Sequence, residues 1–397
     1  MLASNYTEKL LNLQGVEVKK IENKENISEI HIETERKKTK CPICGKETDR
    51  IHDYRIQKVK DLSAFGQKIV LIIRKRRYVC ECGKRFIEDI PFLPKYSRRT
   101  QRESFKIIED LASLRSYKEV ADMHAVSAPT VMRLFDKITY PKPNSLPEAI
   151  GIDEFKGNSG GEKYHCIITD LKNKKVIDIL KTRKATDLID YFKKYDRSGV
   201  KCFVSDMYKP YSELAQTYFP KATYVIDKYH WVRQMTWAFE AVRKETQKKF
   251  SKAHRIYFKH SKRLLLKRQD KLKDDEKLQV QNMCSLSADL STAYYHKEAL
   301  YRILDSDDDL IAKKTKFKEW IESAEDCEVE SFVKCAATYR RWFAPIVNSL
   351  ASPYSNGFTE GCNNKIKVLK RNAFGLKKFK RFRSRILFTF AAPVASF

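Results

Sequence analysis

The chain has 397 residues, with 79 Lys or Arg against 51 Asp or Glu, a formal balance of +28. That length allows two to four domains and at least one sizeable core. The charge excess points to a polyanionic partner rather than to solubility alone. The apolar stretch at residues 386–397 is too short to span a bilayer, and Met1 is not followed by a signal-peptide pattern. A cytoplasmic protein that meets no membrane is therefore expected. Six of the ten cysteines (Cys166, Cys202, Cys284, Cys327, Cys335 and Cys362) are scattered and read as small buried residues, which argues against a disulfide framework.

The other four cysteines form two pairs. Cys41-Pro-Ile-Cys44-Gly is a knuckle, and Cys80-Glu-Cys82-Gly is a second, one residue shorter. Two such pairs supply four thiolates to one tetrahedral Zn²⁺, a structural ion because the closed shell leaves no open position. The strand-like run at 68–79 carries the chain back to the metal, and Arg74, Lys75, Arg76 and Arg77 within it suit phosphate contact. Residues 1–96 are read as this zinc-binding module.

Residues 97–140 are read as a helix-turn-helix domain. Phe105, Ile108, Leu111 and Ala112 follow helical spacing. Ser116 with Glu119 then reads as a capping box, and Ser127 as the cap of a second helix with Pro129 in its first turn. That second helix would offer Thr130 and Arg133 to DNA in the major groove. The proline-rich segment 141–148 is expected to be a linker.

From residue 149 the pattern changes to strands, predicted at 150–155, 163–170 and 175–181. A helix at 184–195, a strand at 201–205, a helix at 211–218 and a strand at 223–226 follow. Three antiparallel strands and then helix–strand–helix–strand is the order of a ribonuclease H-like mixed α/β core, here 149–230. In that fold the first and fourth strands are neighbours, which brings Asp153 and Asp206 together, each at a strand end. Residues 231–350 are periodic, charged and nearly free of Gly and Pro, and predict an all-helical insertion. The core resumes in 351–397, where Glu360 opens a helix.

Asp153, Asp206 and Glu360 together suit two Mg²⁺ or Mn²⁺ ions and phosphoryl transfer, because hard carboxylate oxygens match these cations. Glu154 rivals Asp153, but neighbours in a strand point to opposite faces. Asp227 either supports the site from behind or caps the helix that follows it. After Glu360, Asn363, Asn364, Lys367, Lys370 and Arg371 recur on one helical face toward DNA. Residues 374–386 interleave aromatics with Lys377, Lys378, Lys380 and Arg381. From 361 to 397 there are ten Lys or Arg and no acid, so these cations are expected to seek phosphate.

On these motifs the chain resembles insertion-sequence transposases of the DDE class, in the IS-L-three family. The resemblance runs over nearly the whole length. It rests on the Cys41/Cys44/Cys80/Cys82 module, the helix-turn-helix, Gly-Ile-Asp153-Glu, Ser-Asp206-Met, Asp227-Lys-Tyr-His230 and Ser-Asn-Gly-Phe-Thr-Glu360-Gly-Cys-Asn-Asn-Lys. It implies binding to terminal inverted repeats, cleavage at the ends and strand transfer into target DNA. Double-stranded DNA would be the partner, with a homodimer or higher oligomer assembled on it. Two other readings use part of the same evidence: a structure-specific ribonuclease H-like nuclease, or a DNA-binding regulator without catalysis.

Overall fold

The computed structural model describes residues 9–140, 143–373 and 375–391. Residues 1–8 of the expected zinc module, Pro141 and Lys142 of the linker, Phe374 of the basic tail and residues 392–397 of the apolar end lie outside them. The chain divides into two compact units between Thr139 and Tyr140.

The first unit is built on a sheet that the sequence only partly disclosed. It contains β1 (Val16–Lys24), β2 (Ile27–Thr34), β3 (Thr39–Lys40), β4 (Glu47–Thr48), β5 (Ile51–Ala64), β6 (Gln67–Val79) and β7 (Arg85–Ile87). Strand order is β1-β2-β6-β5, with β7 added on β6 and β3-β4 forming a separate hairpin. Only β6, a continuous apolar run, was expected. β1 and β2 bury Val16, Val18, Ile30 and Ile32 against Leu71 and Ile73 of β6, while the residues between them are mostly charged. Such diluted alternation is a weak signal without its partner strand. The basic run on β6 is largely consumed inside the unit, against expectation. Arg76 is 6% exposed and pairs with Glu33 and Glu88, Arg74 pairs with Glu33, and Arg77 pairs with Asp53.

The helices α1 (Gln101–Asp110), α2 (Tyr117–Met123) and α3 (Ala128–Phe135) complete this unit. Thr100 joins them to the sheet. Its hydroxyl donates to the buried Asp61 at 2.7 Å and accepts the Glu103 backbone N–H that opens α1. Arg102 forks onto the same Asp61 carboxylate.

The second unit begins with β8 (Ala149–Ser159), β9 (Glu162–Asp170), β10 (Lys175–Leu180), α4 (Ala185–Phe192), β11 (Cys202–Ser205), α5 (Lys209–Tyr218) and β12 (Thr223–Ile226). Strand order is β10-β9-β8-β11-β12. The first three strands are antiparallel, and β8, β11 and β12 are parallel. This is the expected ribonuclease H-like arrangement. Ile150, Ile152, Ile168 and Phe203 bury one face of the sheet against Leu188 and Phe192 of α4 and Leu214 of α5.

A run of helices follows: α6 (Lys228–Lys249), α7 (Lys252–Tyr257), α8 (Ser261–Leu266), α9 (Asp274–Ser285), α10 (Ala288–Asp305), α11 (Leu310–Glu325), α12 (Glu330–Arg341) and α13 (Phe343–Ala351). Trp231, Phe239, Phe317, Trp320 and Tyr339 form its core. The start and end of this helical segment are tied together at Trp231. Its indole N–H donates to Ser349 Oγ at 3.0 Å, and its carbonyl accepts the Tyr339 hydroxyl at 2.6 Å. The entry of α6 into the core is thereby fixed.

The chain returns as α14 (Gly357–Asn372) and α15 (Phe379–Phe390). α15 sets Phe379 and Phe382 against the buried His165 ring, at centroid distances of 5.0 and 5.8 Å. That imidazole lies 2.8 Å from Ser159 Oγ and 2.6 Å from the Lys181 carbonyl oxygen. The aromatic half of the tail is core, as its alternation with cations suggests.

Candidate active site and zinc ribbon

The parallel register of β8 and β11 assembles the acids. Ala149, Ile150 and Gly151 pair with Cys202, Phe203 and Val204, and the pairing then stops. Extended by two steps, that register sets Asp206 beside Asp153. Asp153 is not at the end of its own strand, as expected, because β8 runs on to Ser159 with β9 alone. It sits where the β8–β11 pairing ends, so the side toward Asp206 is open. Gly151 has a steric reason. A Cβ there would lie 2.5 Å from Thr169 Oγ1 and 2.9 Å from Asn356 Oδ1.

Asn356 brings the third acid. Its fully buried side chain donates to the Ile152 carbonyl at 2.9 Å and accepts from the Thr359 hydroxyl at 3.2 Å. Its backbone N–H donates to Asp227 Oδ1 at 2.8 Å. The first turn of α14, with Glu360, is thus bolted to β8 and β12. Asp227 stands at the N-cap position of α6 without a side-chain capping bond, and so supports α14 instead of capping its own helix.

His230, which the sequence offers only as the end of the Asp227-Lys-Tyr-His230 motif and without a role, completes the cluster. Its Nε2 lies 3.2 Å from Asp206 Oδ1 and 3.4 Å from Glu360 Oε1. Asp227, His230 and Glu360 each offer a ligand atom, all within 4.8 Å of one another. The position of His230 three residues beyond Asp227, on the first turn of a helix leaving a strand, was the available signal.

Asp153 is 8% exposed. Its Oδ1 accepts the Glu154 backbone N–H at 2.7 Å, and its Oδ2 accepts Asn363 Nδ2 at 2.7 Å. Burial, opposed by that backbone N–H, pushes its carboxyl up to about 6. Asp206 is pushed up to about 8 by burial, then by the charges of Asp153, Asp227, Glu154 and Glu360. Among the described residues, Asp206 Oδ1 and Asp227 Oδ2 are buried and accept no hydrogen bond, the His230 Nε2 near Asp206 Oδ1 making an ion-pair contact only. Crowded carboxylates with orphaned oxygens fit divalent cations, which would neutralise the repulsion. Glu154 does not leave the site as strand alternation suggests. It borders the same cavity of about 170 Å³ as Asp206 and His230, with its carboxylate paired to Arg183.

The four cysteines converge as expected. Cys41 Sγ lies 3.7 Å from Cys82 Sγ, and Cys44 Sγ lies 3.5 Å from Cys80 Sγ, with all four within 4.8 Å. Four thiolates around zinc at about 2.3 Å would stand about 3.8 Å apart. The shorter second knuckle is accommodated by a tighter turn. Gly45 N–H reaches back to the Cys41 carbonyl, while Gly83 N–H reaches the Cys80 carbonyl one residue sooner, both glycines at positive φ. The Cys44 backbone N–H draws the Cys41 thiol down to about 6.

Comparison with known proteins agrees with this geometry. A family profile described as "Transposase", of the ISL3 group, matches residues 150–386. The chain belongs to the ISL3 transposase family. The "zinc-finger of transposase IS204/IS1001/IS1096/IS1165" matches residues 37–82, and the "Helix-turn-helix domain of transposase family ISL3" matches residues 88–139. The "Transposase for insertion sequence element IS1001" of Bordetella parapertussis is 25% identical over 401 residues, 97% of this chain and 98% of that protein. An "ATP-dependent protease" of Lactococcus lactis subsp. lactis is 43% identical over 58 residues, 15% of this chain and 19% of that protein. The latter match is too short to bear on the whole chain. This transposase is therefore a DNA-binding, DNA-processing enzyme with a zinc ribbon. No helix among its described residues is long and apolar enough to cross a membrane.

The residues expected to face DNA divide into two groups. Arg133 is exposed on α3, with its guanidinium donating to Thr130 Oγ1 at 3.1 Å. Ser116 caps α2 through the Glu119 N–H, but the expected capping box is not completed, because the Glu119 carboxylate turns to Arg115 at 3.5 Å. Ser127 does not cap α3, because its hydroxyl turns to Thr130 Oγ1 at 3.0 Å. On α14, Asn364, Lys367 and Arg371 are exposed. Asn363, expected beside them, is buried against Asp153, and Lys370 Nζ donates to the Lys156 carbonyl at 2.9 Å. Lys377, Lys378 and Lys380 are exposed and Arg381 is half-buried. The expectation that all ten tail cations seek phosphate is corrected. Arg383 donates to Asp178 at 2.6 Å, Arg385 is 1% exposed, and Lys365 donates to the Thr389 carbonyl at 3.2 Å.

Proposed function

We propose that this transposase binds the terminal inverted repeats of an insertion sequence, cleaves the DNA at those ends and joins them to target DNA. In this reading Asp153, Asp206 and Glu360 hold two Mg²⁺ or Mn²⁺ ions, with the chain acting as a homodimer or higher oligomer so that two ends are handled together. The observation that carries it is the β8–β11 register, which points Asp206 at Asp153 under the first turn of the helix bearing Glu360. The bound ions would supply Lewis acidity to the attacking and leaving oxygens of an in-line displacement.

The chain's own residues orient the acids. Asn363 and the Glu154 N–H each hold one oxygen of Asp153. Asn356 keeps α14 against β8 and Asp227, so Glu360 does not drift as DNA enters. His230 touches both Asp206 and Glu360 and locks their separation. The ribbon and helix-turn-helix would supply end recognition, with Thr130 and Arg133 at the DNA and Asn364, Lys367 and Arg371 guiding phosphates toward the acids.

The test is incubation of the purified protein with Mg²⁺, DNA ending in its own element's repeats, and a supercoiled target. Joined products are expected. Cleavage without joining would favour a nuclease, and binding without either would favour a regulator.

A further inference from the structure

A groove of about 600 Å³ lies on the helical insertion, within the range of about 300–1,000 Å³ usual for ligand pockets. One wall is a stripe of α6 spaced at one-turn steps, Tyr229, Arg233 and Trp237, and the other includes Lys262, Arg268 and Tyr301. Two of these aromatics are open to solvent, Trp237 at 51% and Tyr229 at 56%. The Arg233 guanidinium lies 4.6 Å from the Trp237 ring centre and 5.8 Å from that of Tyr229, and Arg268 lies 4.4 Å from Tyr301. The lining carries four cations (Lys228, Arg233, Lys262, Arg268) against two acids (Glu240, Asp305). The acids serve Lys262 and Arg268, whereas Lys228 and Arg233 have no ion pair among the described residues.

We infer that this groove holds an unpaired nucleotide of the DNA strand engaged at Asp206 and Glu360. The inference rests on the proposed function for which strand that is, and on the groove's own chemistry for the nucleotide. Flat aromatic faces alternating with cations match a base together with its phosphate. An acidic peptide would use the charge but leave the exposed Trp237 face without purpose. A base still stacked in duplex DNA has no free face to offer, so the occupant must have left the stack. Position agrees. α6 brings His230 to the acids, and Trp237 stands seven residues further on, about 10 Å along the same helix. That is a nucleotide or two beyond a phosphate at the acids.

The experiment is fluorescence anisotropy of the full chain without divalent metal, so that catalysis plays no part. Three probes are compared: a blunt duplex carrying the element's end, the same duplex with a short unpaired tail, and oligo-dT. Trp237→Ala should weaken the tailed and single-stranded probes roughly tenfold, the scale of one lost stacked base, and the blunt duplex less than about twofold. Trp237→Phe should restore most of the loss. Arg233→Gln should flatten the salt dependence for oligo-dT by about 0.7 in the log–log slope. An equal loss on all three probes, no loss on any, or a change of oligomeric state with DNA affinity intact would overturn the inference. A wild-type protein that joins ends yet has no tail preference, or a Trp237→Ala protein that keeps it, would overturn the groove alone. Kept tail preference without joining would instead count against the proposed function.

Discussion

Asn363 Nδ2 donates to Asp153 Oδ2 at 2.7 Å, a bond between residues 210 positions apart that joins the second turn of α14 to the middle of β8. With the bond from Asn356 to the Ile152 carbonyl, it links the two stretches of chain that carry Asp153 and Glu360. Loss of the Asn363 bond leaves the Asp153 carboxylate held by the Glu154 backbone N–H alone. Partners that orient metal-binding groups typically matter by about 10–100-fold. Asn363→Ala should lower end cleavage by that order while end binding stays within about twofold. If cleavage were unchanged and binding fell, Asn363 would be a phosphate contact after all.

Asp206 makes a statement about stability. Its carboxyl is raised from 3.8 to about 8, so the folded state favours the protonated form. A raised acid stabilises the fold while protonated, and that contribution is lost as pH rises from about 4 toward 8. Asp206→Asn should therefore be the more stable protein without metal, by a margin that grows over this pH range. Calorimetric unfolding of both forms measures it. Adding Mg²⁺ at pH 8 should raise the wild-type transition more than that of the variant, since ligand binding stabilises only the state that binds. A margin that stays flat as pH rises would show that Asp206 ionises freely in the folded chain, and one that shrinks would show its carboxyl lowered instead of raised.

The ribbon should contain one Zn²⁺ per chain. Cys44→Ser should remove it and unfold the knuckle formed by β3 and β4, lowering affinity for element ends while leaving the second unit folded. Elemental analysis of freshly purified protein reads the first outcome, and protection from proteolysis reads the second. Protein purified without zinc yet resistant to protease would contradict a metal-dependent ribbon.

Sequence preference and general affinity should separate. Replacing Lys377, Lys378 and Lys380 by Ala should weaken binding to all DNAs alike, each lost phosphate contact removing about 0.9 from the log–log salt slope. Arg133→Ala should narrow the difference between end and random DNA, with a cost of about 1–3 kcal/mol on the cognate sequence if it contacts a base. The opposite pattern would reverse the two roles.

Much of the catalytic unit was legible because its strands are short, apolar and punctuated. The β8-to-β12 order follows from that pattern, and with it the pairing that meets at Asp206. The end of β8 was not legible, because Lys156, Gly157 and Asn158 interrupt the apolar run while pairing with β9 sustains the strand. Asn363 read as one polar residue on a cationic helix face; its burial depends on β8 passing beneath α14, which no local spacing encodes. The tail misled for the same reason. Asp178, on β10, is remote in sequence from Arg383 yet neutralises it. In the first unit β1 and β2 were missed because their alternation is interrupted by a register shift between Val18 and Lys20 and diluted by charge.

The central claim is that Asp153, Asp206 and Glu360 act as one metal-dependent site. The direct measurement is single-turnover cleavage of labelled element-end DNA in Mg²⁺ by wild type, Asp153→Asn, Asp206→Asn and Glu360→Gln, with end binding measured in parallel. Each variant should bind ends within about threefold of wild type and cleave at least about a thousandfold more slowly, a loss of about 4 kcal/mol of transition-state stabilisation. Cleavage near the wild-type rate by any one of them, with binding intact, would contradict the claim and remove that residue from the site.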